Sequence, residues 1–289
     1  MRLDLPIYAC GGFSHLVTEQ LPSLKACFEG SPWRAPRRSD RLTQLGLLGL
    51  TACTGTNNLA ADTPLILASS ESTLSSTIQI NEQIYLNNSI PNPFGFINSV
   101  NNSTAFYLNQ TLGIAGRSLT VARDQCSLEA ALQIAALWQH EHQGPLLVGT
   151  VDELPEDLQQ HRIRMQYHDD ALLGEGSFWF LCGAALPGDN PMAIVRSCGS
   201  LPDPESAIEC MYSNGVSHFI VLETAEAEHI SIDELPGTAV ELPSPGLFST
   251  QNGYYLIKGL ERLSKGDRLC LINSKRRSAR LSLTIIERC

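Results

Sequence analysis

The chain has 289 residues, of which 30 are acidic and 20 basic, so its formal net charge at pH 7 is −10. This acidic balance argues against a general nucleic-acid-binding protein, because such proteins contact phosphates with clustered basic side chains. The length allows one large domain or two modest ones, each with a real hydrophobic core.

The nine cysteines include no C-x-x-C pair and no metal-like spacing with histidine. This distribution favours a reducing compartment over a disulfide framework, so the sequence predicts a cytoplasmic protein without a zinc or other metal site. Residues 1–6 lack the basic flank and apolar run of a secretory signal. The most apolar run, residues 45–53, is far too short to cross a bilayer, so no membrane span is expected.

The first part of the chain alternates strand and helix patterns. The predicted elements are a strand at residues 3–9, a helix at 41–54, a strand at 64–70 and a polar helix at 72–86. The first strand is expected to end before Gly11 and Gly12, and Ser39 or Asp40 to cap the first helix. Cys53 lies near the end of that helix, where we expect a small packing residue.

The middle of the chain contains a strand, a tight bend and a helix. Residues 118–122 predict a short strand after a glycine-containing turn, and apolar residues recur at helical spacing from Leu128. A helix N-terminus favours negative charge, so a thiol at such a bend is biased toward thiolate. The function therefore depends on which of Asp124, Gln125 and Cys126 occupies the place of a nucleophile.

The second part of the chain predicts a further series of strands and helices joined by loops. The expected strands are residues 144–152, 192–197, 216–222, 269–273 and 281–286, and residues 173–181 predict a glycine-flanked turn followed by a strand. The expected helices are residues 204–211 and 252–263, and the expected loops are 153–170 and 236–245.

Several segments resemble the β-ketoacyl synthases, thiolase-fold enzymes that condense acyl and malonyl thioesters. The resemblance is carried by Gly113, Ile114, Gly116, the Ser-Leu-Thr-Val run at 118–121 and the small-residue helix through Ala130, Ala131 and Leu132, and by residues 93–102, 144–152 and 173–181. It implies an α/β, thiolase-like αβαβα layered fold with a compressed second half. The two thiolase-like halves would be residues 1–155 and 156–289.

The resemblance also implies where a nucleophile belongs. In the family the cysteine comes four positions after the valine of the elbow strand, which from Val121 is Gln125. Glutamine there resembles the chain length factors and the decarboxylating initiation synthases of polyketide assembly, and its amide cannot be acylated. Cys126 comes one residue later, and because one helical step turns a side chain by about 100°, Cys126 is expected to be buried in the helix packing.

Other catalytic parts of the family are absent from the expected positions. The family has two histidines that stabilise the enolate formed on decarboxylation. The chain instead reads Leu-Glu-Thr-Ala-Glu at 222–226 and Pro-Gly-Leu-Phe-Ser-Thr at 245–250, and the glycine-rich loop is replaced at 273–277. The seven histidines, among them His140, His142 and His229, are expected at the surface, and Glu129 and Glu175 in structural roles at a helix N-terminus and in a turn.

The resemblance therefore predicts a chain length factor: a non-condensing subunit, needing no cofactor, that pairs with an active β-ketoacyl synthase and shapes the tunnel for the acyl chain. In the family's dimers the strand before the nucleophile joins its counterpart antiparallel; here its residues would be Ser118, Leu119, Thr120, Val121 and Ala122. Among such systems the compressed chain is most similar to the chain length factor of aryl polyene biosynthesis.

An acyl carrier protein is a possible further partner. Two basic clusters could contact its acidic surface or its phosphopantetheine phosphate, although solvated surface charge explains them equally well: Arg34, Arg37, Arg38 and Arg41, and Lys275, Arg276, Arg277 and Arg280.

Three alternatives remain open on the sequence. The first is a malonyl-carrier decarboxylase in which Gln125 donates a hydrogen bond to the enolate. The second is a condensing or acyl-transfer enzyme that uses Cys126. The third is a homodimeric protein that binds a lipid or polyketide without a synthase partner.

Overall fold

The computed structural model describes residues 1–34, 36–55, 59–184, 190–222, 231–274 and 280–289. The strands are β1 (Arg2–Val17), β2 (Leu65–Ala68), β3 (Ser118–Val121), β4 (Pro145–Asp152), β5 (Leu173–Gly183), β6 (Ala193–Leu201), β7 (His218–Val221), β8 (Thr238–Ala239), β9 (Arg268–Ser274) and β10 (Leu281–Arg288). The helices are α1 (Arg41–Thr54), α2 (Leu74–Tyr85), α3 (Pro93–Asn98), α4 (Ser103–Leu112), α5 (Ser127–Trp138), α6 (Leu158–Met165), α7 (Pro204–Ser213) and α8 (Asn252–Leu260), with 3-10 turns at Lys25–Phe28 and Ile232–Glu234.

All of these strands belong to one sheet with the order β3-β2-β4-β5-β1-β6-β10-β9-β7-β8. The order contains the same five-strand arrangement twice, once in each direction. In the first arrangement β3, β2 and β4 are parallel, and β5 runs antiparallel between β4 and β1. In the second, β8, β7 and β9 are parallel, and β10 runs antiparallel between β9 and β6. The pairing of β1 with β6 joins the two arrangements.

The strand order bears on how the chain is divided. It groups β5 with β4 and β1, in the first arrangement, although β5 follows residue 155 in sequence. The predicted division into residues 1–155 and 156–289 stays a prediction.

The predicted α/β fold with αβαβα layers is confirmed. Helices α5 and α8 share one hydrophobic cluster with residues of both strand arrangements, such as Leu128, Leu132, Leu256, Ile66 and Leu271, and so form the central layer. A second cluster joins α1 and α4 to the outer face of the first arrangement. A third joins α7 to the outer face of the second. The second arrangement carries only α7 and α8 among the described helices, consistent with a compressed half.

Local sequence features explain several helix boundaries. Asp40 caps α1, because its side chain accepts a hydrogen bond from the Thr43 amide. Helix α8 packs closely against β4 and β5 because Gly253 has no side chain; a Cβ there would lie 2.8 Å from Thr150 Oγ1. No helix in the described ranges combines the length and apolarity needed to span a bilayer.

Several element predictions were wrong, and among them the loop predicted at 236–245 contains the two-residue strand β8. Strand β1 continues through Gly11 and Gly12 to Val17, because both glycines pair with β5, where a Cβ would collide with neighbouring atoms. The loop predicted at 153–170 contains α6, which Asp157 caps through a hydrogen bond from the Gln160 amide. This helix was missed because its residues are mainly polar and lack a broad apolar stripe.

Candidate functional site

The candidate site lies where the carboxyl ends of β2, β3, β4 and β9 meet the first turns of α5 and α8. In open α/β sheets such a convergence is a common ligand-binding place. Side-chain hydrogen bonds join the ends of these elements. Ser69 Oγ donates to Asp152 Oδ1 at 2.9 Å, and Asn273 Nδ2 donates to the Gln125 carbonyl at 2.7 Å.

Gln125 lies on the bend between β3 and α5, and its side chain is almost fully buried. The bend is tight because Asp124 adopts a positive φ of 51°. Gln125 lines a cavity of about 300 Å³ together with Ser70, Glu71, Asp124, Arg164, Met165 and Ser249. No thiol or imidazole is among these lining residues. The assignment of Gln125 to the nucleophile position stays a prediction.

A buried carboxyl group holds the two helix starts together. Glu129, in the first turn of α5, accepts hydrogen bonds from Asn252 Nδ2 at 2.9 Å and from Asn273 Nδ2 at 3.0 Å. The same two amides donate to the Gln125 carbonyl. Burial raises the pKa of Glu129, and the hydrogen bonds from Asn273 and Asn252 oppose that rise. The structural role expected for Glu129 is therefore to link α5 to α8 and β9.

Asp152 closes the inner end of the site. Its Oδ1 accepts hydrogen bonds from Ser69 Oγ and the Ser70 amide, both at 2.9 Å. Burial, with a contribution from the nearby Glu71, raises the pKa of Asp152 to about 6. A small void of about 10 Å³ separates Asp152 from His161 and Phe248. That void has room for about one water molecule.

Helix α6 covers the cavity, and sequence reasoning missed its contribution. It supplies Arg164 and Met165 to the cavity wall. Arg164 makes a two-point ion pair with Glu71, with Nη2 and Oε2 2.6 Å apart. His161 is buried beneath this pair, and its Nδ1 lies 2.9 Å from Arg164 Nη2. The expectation that the histidines lie at the surface is therefore wrong for His161.

Cys126 is separated from the cavity of Gln125. It is the residue before α5 and lines a different cavity of about 290 Å³ with Arg123, Glu129 and Arg280, among other residues. Cys126 is half-buried, so the expectation that it is buried in the helix packing was wrong. The two neighbouring residues therefore face different spaces, as a one-residue step around a helix start implies. Cys53 is buried in α1, and burial raises the pKa of its thiol to about 12.

Glu175 lies inside β5 rather than in a turn, which corrects the expectation for this residue. Its carboxylate accepts a hydrogen bond from Arg41 Nε at 2.9 Å and lies 2.8 Å from His15 Nε2. Burial alone would raise its pKa, but the contacts with His15 and Arg41 outweigh burial and hold it below the ordinary value. Arg41 is thus committed to an internal ion pair.

The remaining predicted features are only partly described. Arg38 of the first basic cluster lies over the Phe94 ring, 4.0 Å from its centroid. Lys275, Arg276 and Arg277 lie outside the described residues, as do His229 and most of the 222–226 segment. Residues 245–250 lead into α8, and Ser249 and Thr250 are buried there. No group of three or more potential metal ligands occurs within the described ranges.

No protein-family model matches the sequence, and no curated protein is significantly similar to it. Solved structures do match the fold. The ishigamide ketosynthase/chain length factor superposes with a TM-score of 0.75 at 17% identity, covering 99% of both chains. A β-ketoacyl synthase from Burkholderia phymatum gives 0.68 at 13% identity, covering 100% of both. The ketosynthase in complex with its chain length factor from Xenorhabdus doucetiae gives 0.57 at 13%, covering 99% of this chain and 100% of the other.

These neighbours share the layered arrangement with this chain over nearly its full length. At such low identities the similarity establishes the fold and leaves activity to be argued from the residues. The chain has the fold of the ketosynthase and chain length factor structures.

Proposed function

We propose that the chain is a non-condensing, ketosynthase-like subunit of the chain length factor type, which pairs with an active β-ketoacyl synthase in fatty-acid-like or polyketide biosynthesis. The neighbours that share its fold include proteins named as ketosynthase and chain length factor complexes. Gln125 supports the non-condensing part of the proposal, because a carboxamide cannot form the thioester that condensation requires.

The observation that carries the proposed pairing is a largely apolar face on α2, α3 and α4, bordered by Glu82 on α2 and by Arg38, which lies over the Phe94 ring. No charged residue occurs between Glu82 and Arg117. More than half of the exposed large apolar side chains of the described residues lie on these three helices or in the turns that join them: Ile78, Ile84, Tyr85, Leu86, Ile90, Phe94, Phe96, Ile97, Val100 and Phe106. The cores of protein interfaces are depleted in charge and enriched in aromatic residues, which matches this composition.

The apolar face continues onto an open strand edge. Helix α2 packs against α3, α3 against α4, and α4 against β3. Strand β3 is the first strand of the sheet, so one side of its backbone pairs with no other strand of the described residues. Leu119 on this strand is 38% exposed, and the strand carries none of the charges or prolines that protect lone edges. We propose that residues 118–122 pair antiparallel with the partner's equivalent strand.

The pairing is tested by co-expressing the chain with an intact ketosynthase of the source organism. Size-exclusion chromatography with light scattering and native mass spectrometry should show one copy of each subunit in a stable complex. The chain alone should be oligomeric or poorly soluble, because the apolar face stays exposed. A well-behaved monomer that forms no complex would contradict the proposal.

A charge on the β3 edge gives a sharper test. Leu119→Lys should weaken the complex at least about tenfold, since a lysine on an edge strand opposes strand addition. Leu172→Lys is the matched control, because Leu172 is also an exposed leucine. It immediately precedes β5, three strands away from β3, or about 14 Å at the usual strand spacing. Equal losses in both variants would indicate a general effect of the added charge.

The proposed product, tunnel, compartment and carrier protein follow from the resemblance to the chain length factors. The product would be an aryl polyene, the subunit would help to shape its tunnel in the cytoplasm, and an acyl carrier protein would visit the complex. Arg34, Arg37 and Arg38 remain the part of the first basic cluster available to that carrier protein, since Arg41 is bound to Glu175.

A second candidate function is decarboxylation of a malonyl-carrier thioester, favoured by the position of Gln125 in a cavity wall. A decarboxylation assay on the chain and on Gln125→Ala separates the two functions. Activity that Gln125→Ala abolishes would favour the decarboxylase. No activity in either protein would favour the non-catalytic subunit.

A further inference from the structure

A second, larger cavity lies between the start of α1, helices α2 and α3, and the end of β4. Its volume is about 750 Å³, within the usual range of small-molecule sites of about 300–1,000 Å³. Its lining shares no residue with the cavity of Gln125. The function proposed above assigns nothing to it.

Carboxyl groups outnumber basic groups in its lining. Four carboxyl groups line the cavity, those of Glu19, Asp40, Glu153 and Glu156. The basic residue in the lining, Arg41, donates to the buried Glu175. Helices α2 and α3 contribute only uncharged lining residues. A cation entering the cavity therefore meets no competing positive charge from these two helices.

Three lining side chains are each fixed through one atom while an oxygen lacks a donor. Glu153, 5% exposed, accepts from the Ser75 amide at 3.2 Å through Oε1, and its Oε2 has no partner within the described chain. Asn98, 8% exposed, donates to the Arg38 carbonyl at 3.0 Å, and its Oδ1 is similarly unpaired. Asp40 accepts from the Thr43 amide through Oδ1 and its carboxyl group also interacts with the Ser76 hydroxyl, while Oδ2 has no hydrogen bond of normal geometry to the described residues. A fourth lining oxygen without a partner in the described chain, Ser75 Oγ, belongs to a hydroxyl that can donate as well as accept. The other three atoms are acceptors when the two carboxyl groups are ionised.

Buried acceptors are normally satisfied, so an arrangement of this kind calls for a ligand that donates hydrogen bonds and carries positive charge. A metal ion would need a closer set of ligands than the described residues provide. We propose that this cavity binds a small organic cation, whose ammonium or guanidinium group is held by Glu153, Asp40 and Asn98. This inference does not depend on the proposed pairing with a ketosynthase.

The test is calorimetric titration of the purified full chain at pH 7 with putrescine, with the neutral diol 1,4-butanediol as the control ligand. Putrescine should bind at one site per chain, and the diol should not bind. Glu153→Gln keeps the size of the side chain and removes its charge, so it should weaken binding at least about tenfold. Glu205→Gln, at an exposed position on α7, is the matched control and should bind like the wild type.

Proton release gives a second readout. Burial, with Asp40 and Glu175 nearby, raises the pKa of Glu153 to about 8, although the contact with Ser75 opposes the rise. A bound cation favours the ionised carboxylate, so binding near pH 7 should release a proton. The observed heat should then differ between phosphate and HEPES buffers, whose ionisation enthalpies differ. This difference should vanish in Glu153→Gln.

The proposal is overturned if putrescine fails to bind, or if Glu153→Gln and the wild type bind it equally well. If Glu153→Gln does not fold, Asp40→Asn replaces it, because asparagine also caps helices and likewise removes a charge. The same ammonium chemistry can come from a lysine of the bound ketosynthase. Loss of putrescine binding in the purified complex would identify that source, whereas retained binding would identify a free amine.

Discussion

Glu153 offers a measurement in which the sign and size of an effect follow from burial. Its ordinary pKa of 4.5 is raised to about 8 by burial and by the nearby Asp40. A raised pKa means that the folded chain binds the proton more tightly than the unfolded chain. The contribution of Glu153 to stability is therefore fully present below pH 4.5 and is lost as the pH rises toward 8.

The size of the stability penalty at pH 7 follows from how far that pH lies above the ordinary pKa of Glu153. At pH 7 the carboxyl is 2.5 pH units above its ordinary pKa of 4.5 and still below its folded value of about 8. Each unit corresponds to about 1.4 kcal/mol, so the penalty at pH 7 is about 3 kcal/mol. Glu153→Gln removes this titration and keeps an oxygen for the Ser75 amide. The variant should be more stable than the wild type by about that amount at pH 7 and little different at pH 4.5.

Urea denaturation followed by circular dichroism, across pH 4.5 to 8.5, measures the difference in the free energy of unfolding. Asp152, whose pKa is raised to about 6, titrates in both proteins and cancels from the comparison. Glu205→Gln, exposed on α7, should stay within about 0.5 kcal/mol of the wild type. A variant that is no more stable at pH 7, or a gain that does not grow with pH, would refute the reasoning.

Two further variants test the buried polar contacts. Glu129→Ala leaves the amides of Asn252 and Asn273 each without one acceptor, so urea denaturation should show a loss of about 2–5 kcal/mol. A loss of stability below about 1 kcal/mol would contradict the role of Glu129 in linking α5 to α8 and β9. Arg41→Met leaves Glu175 ionised and buried, and should cost about 3–5 kcal/mol at neutral pH in the same assay. Because the pKa of Glu175 is held low, the stability it provides is present above pH 4.5 and is lost as the pH falls through its folded value. The deficit of Arg41→Met should therefore shrink in acid, and a deficit independent of pH would indicate lost packing.

The fold was largely predictable because strand and helix periodicity are local signals. Strand β3 and helix α5 were placed to within a residue or two, since apolar spacing and a tight bend define them. The passage of β1 through Gly11 and Gly12 was not predictable, because glycine usually weakens a strand and only pairing with β5 shows why it is required.

The candidate site was less accessible to sequence reasoning. Gln125 was located by counting from Val121, yet the residues that cover its cavity come from α6, which resembles a polar loop in sequence. Glu175 reads as a turn residue between glycines, while its actual partners Arg41 and His15 are distant in sequence. Long-range ion pairs leave no local pattern, so only the fold reveals them.

The apolar face on α2 to α4 is an exception, because its signal was present in the sequence. The absence of any charge between Glu82 and Arg117 is visible in the residues alone. This uncharged segment indicates an interface only if its side chains are exposed, since the same composition is ordinary in a hydrophobic core. The structure supplies that information by leaving Phe96 and Ile90 on the surface.

The joining of the two strand arrangements through β1 and β6 limits how copies of this sheet can grow. It leaves β3 at one end and β8 at the other, and β8, with two residues, is too short to template a neighbour. A sheet with one edge strand of sufficient length can pair with one further strand, and the paired sheet then lacks a second such edge. Association by strand pairing is thereby expected to stop at a pair and not to propagate into a fibre.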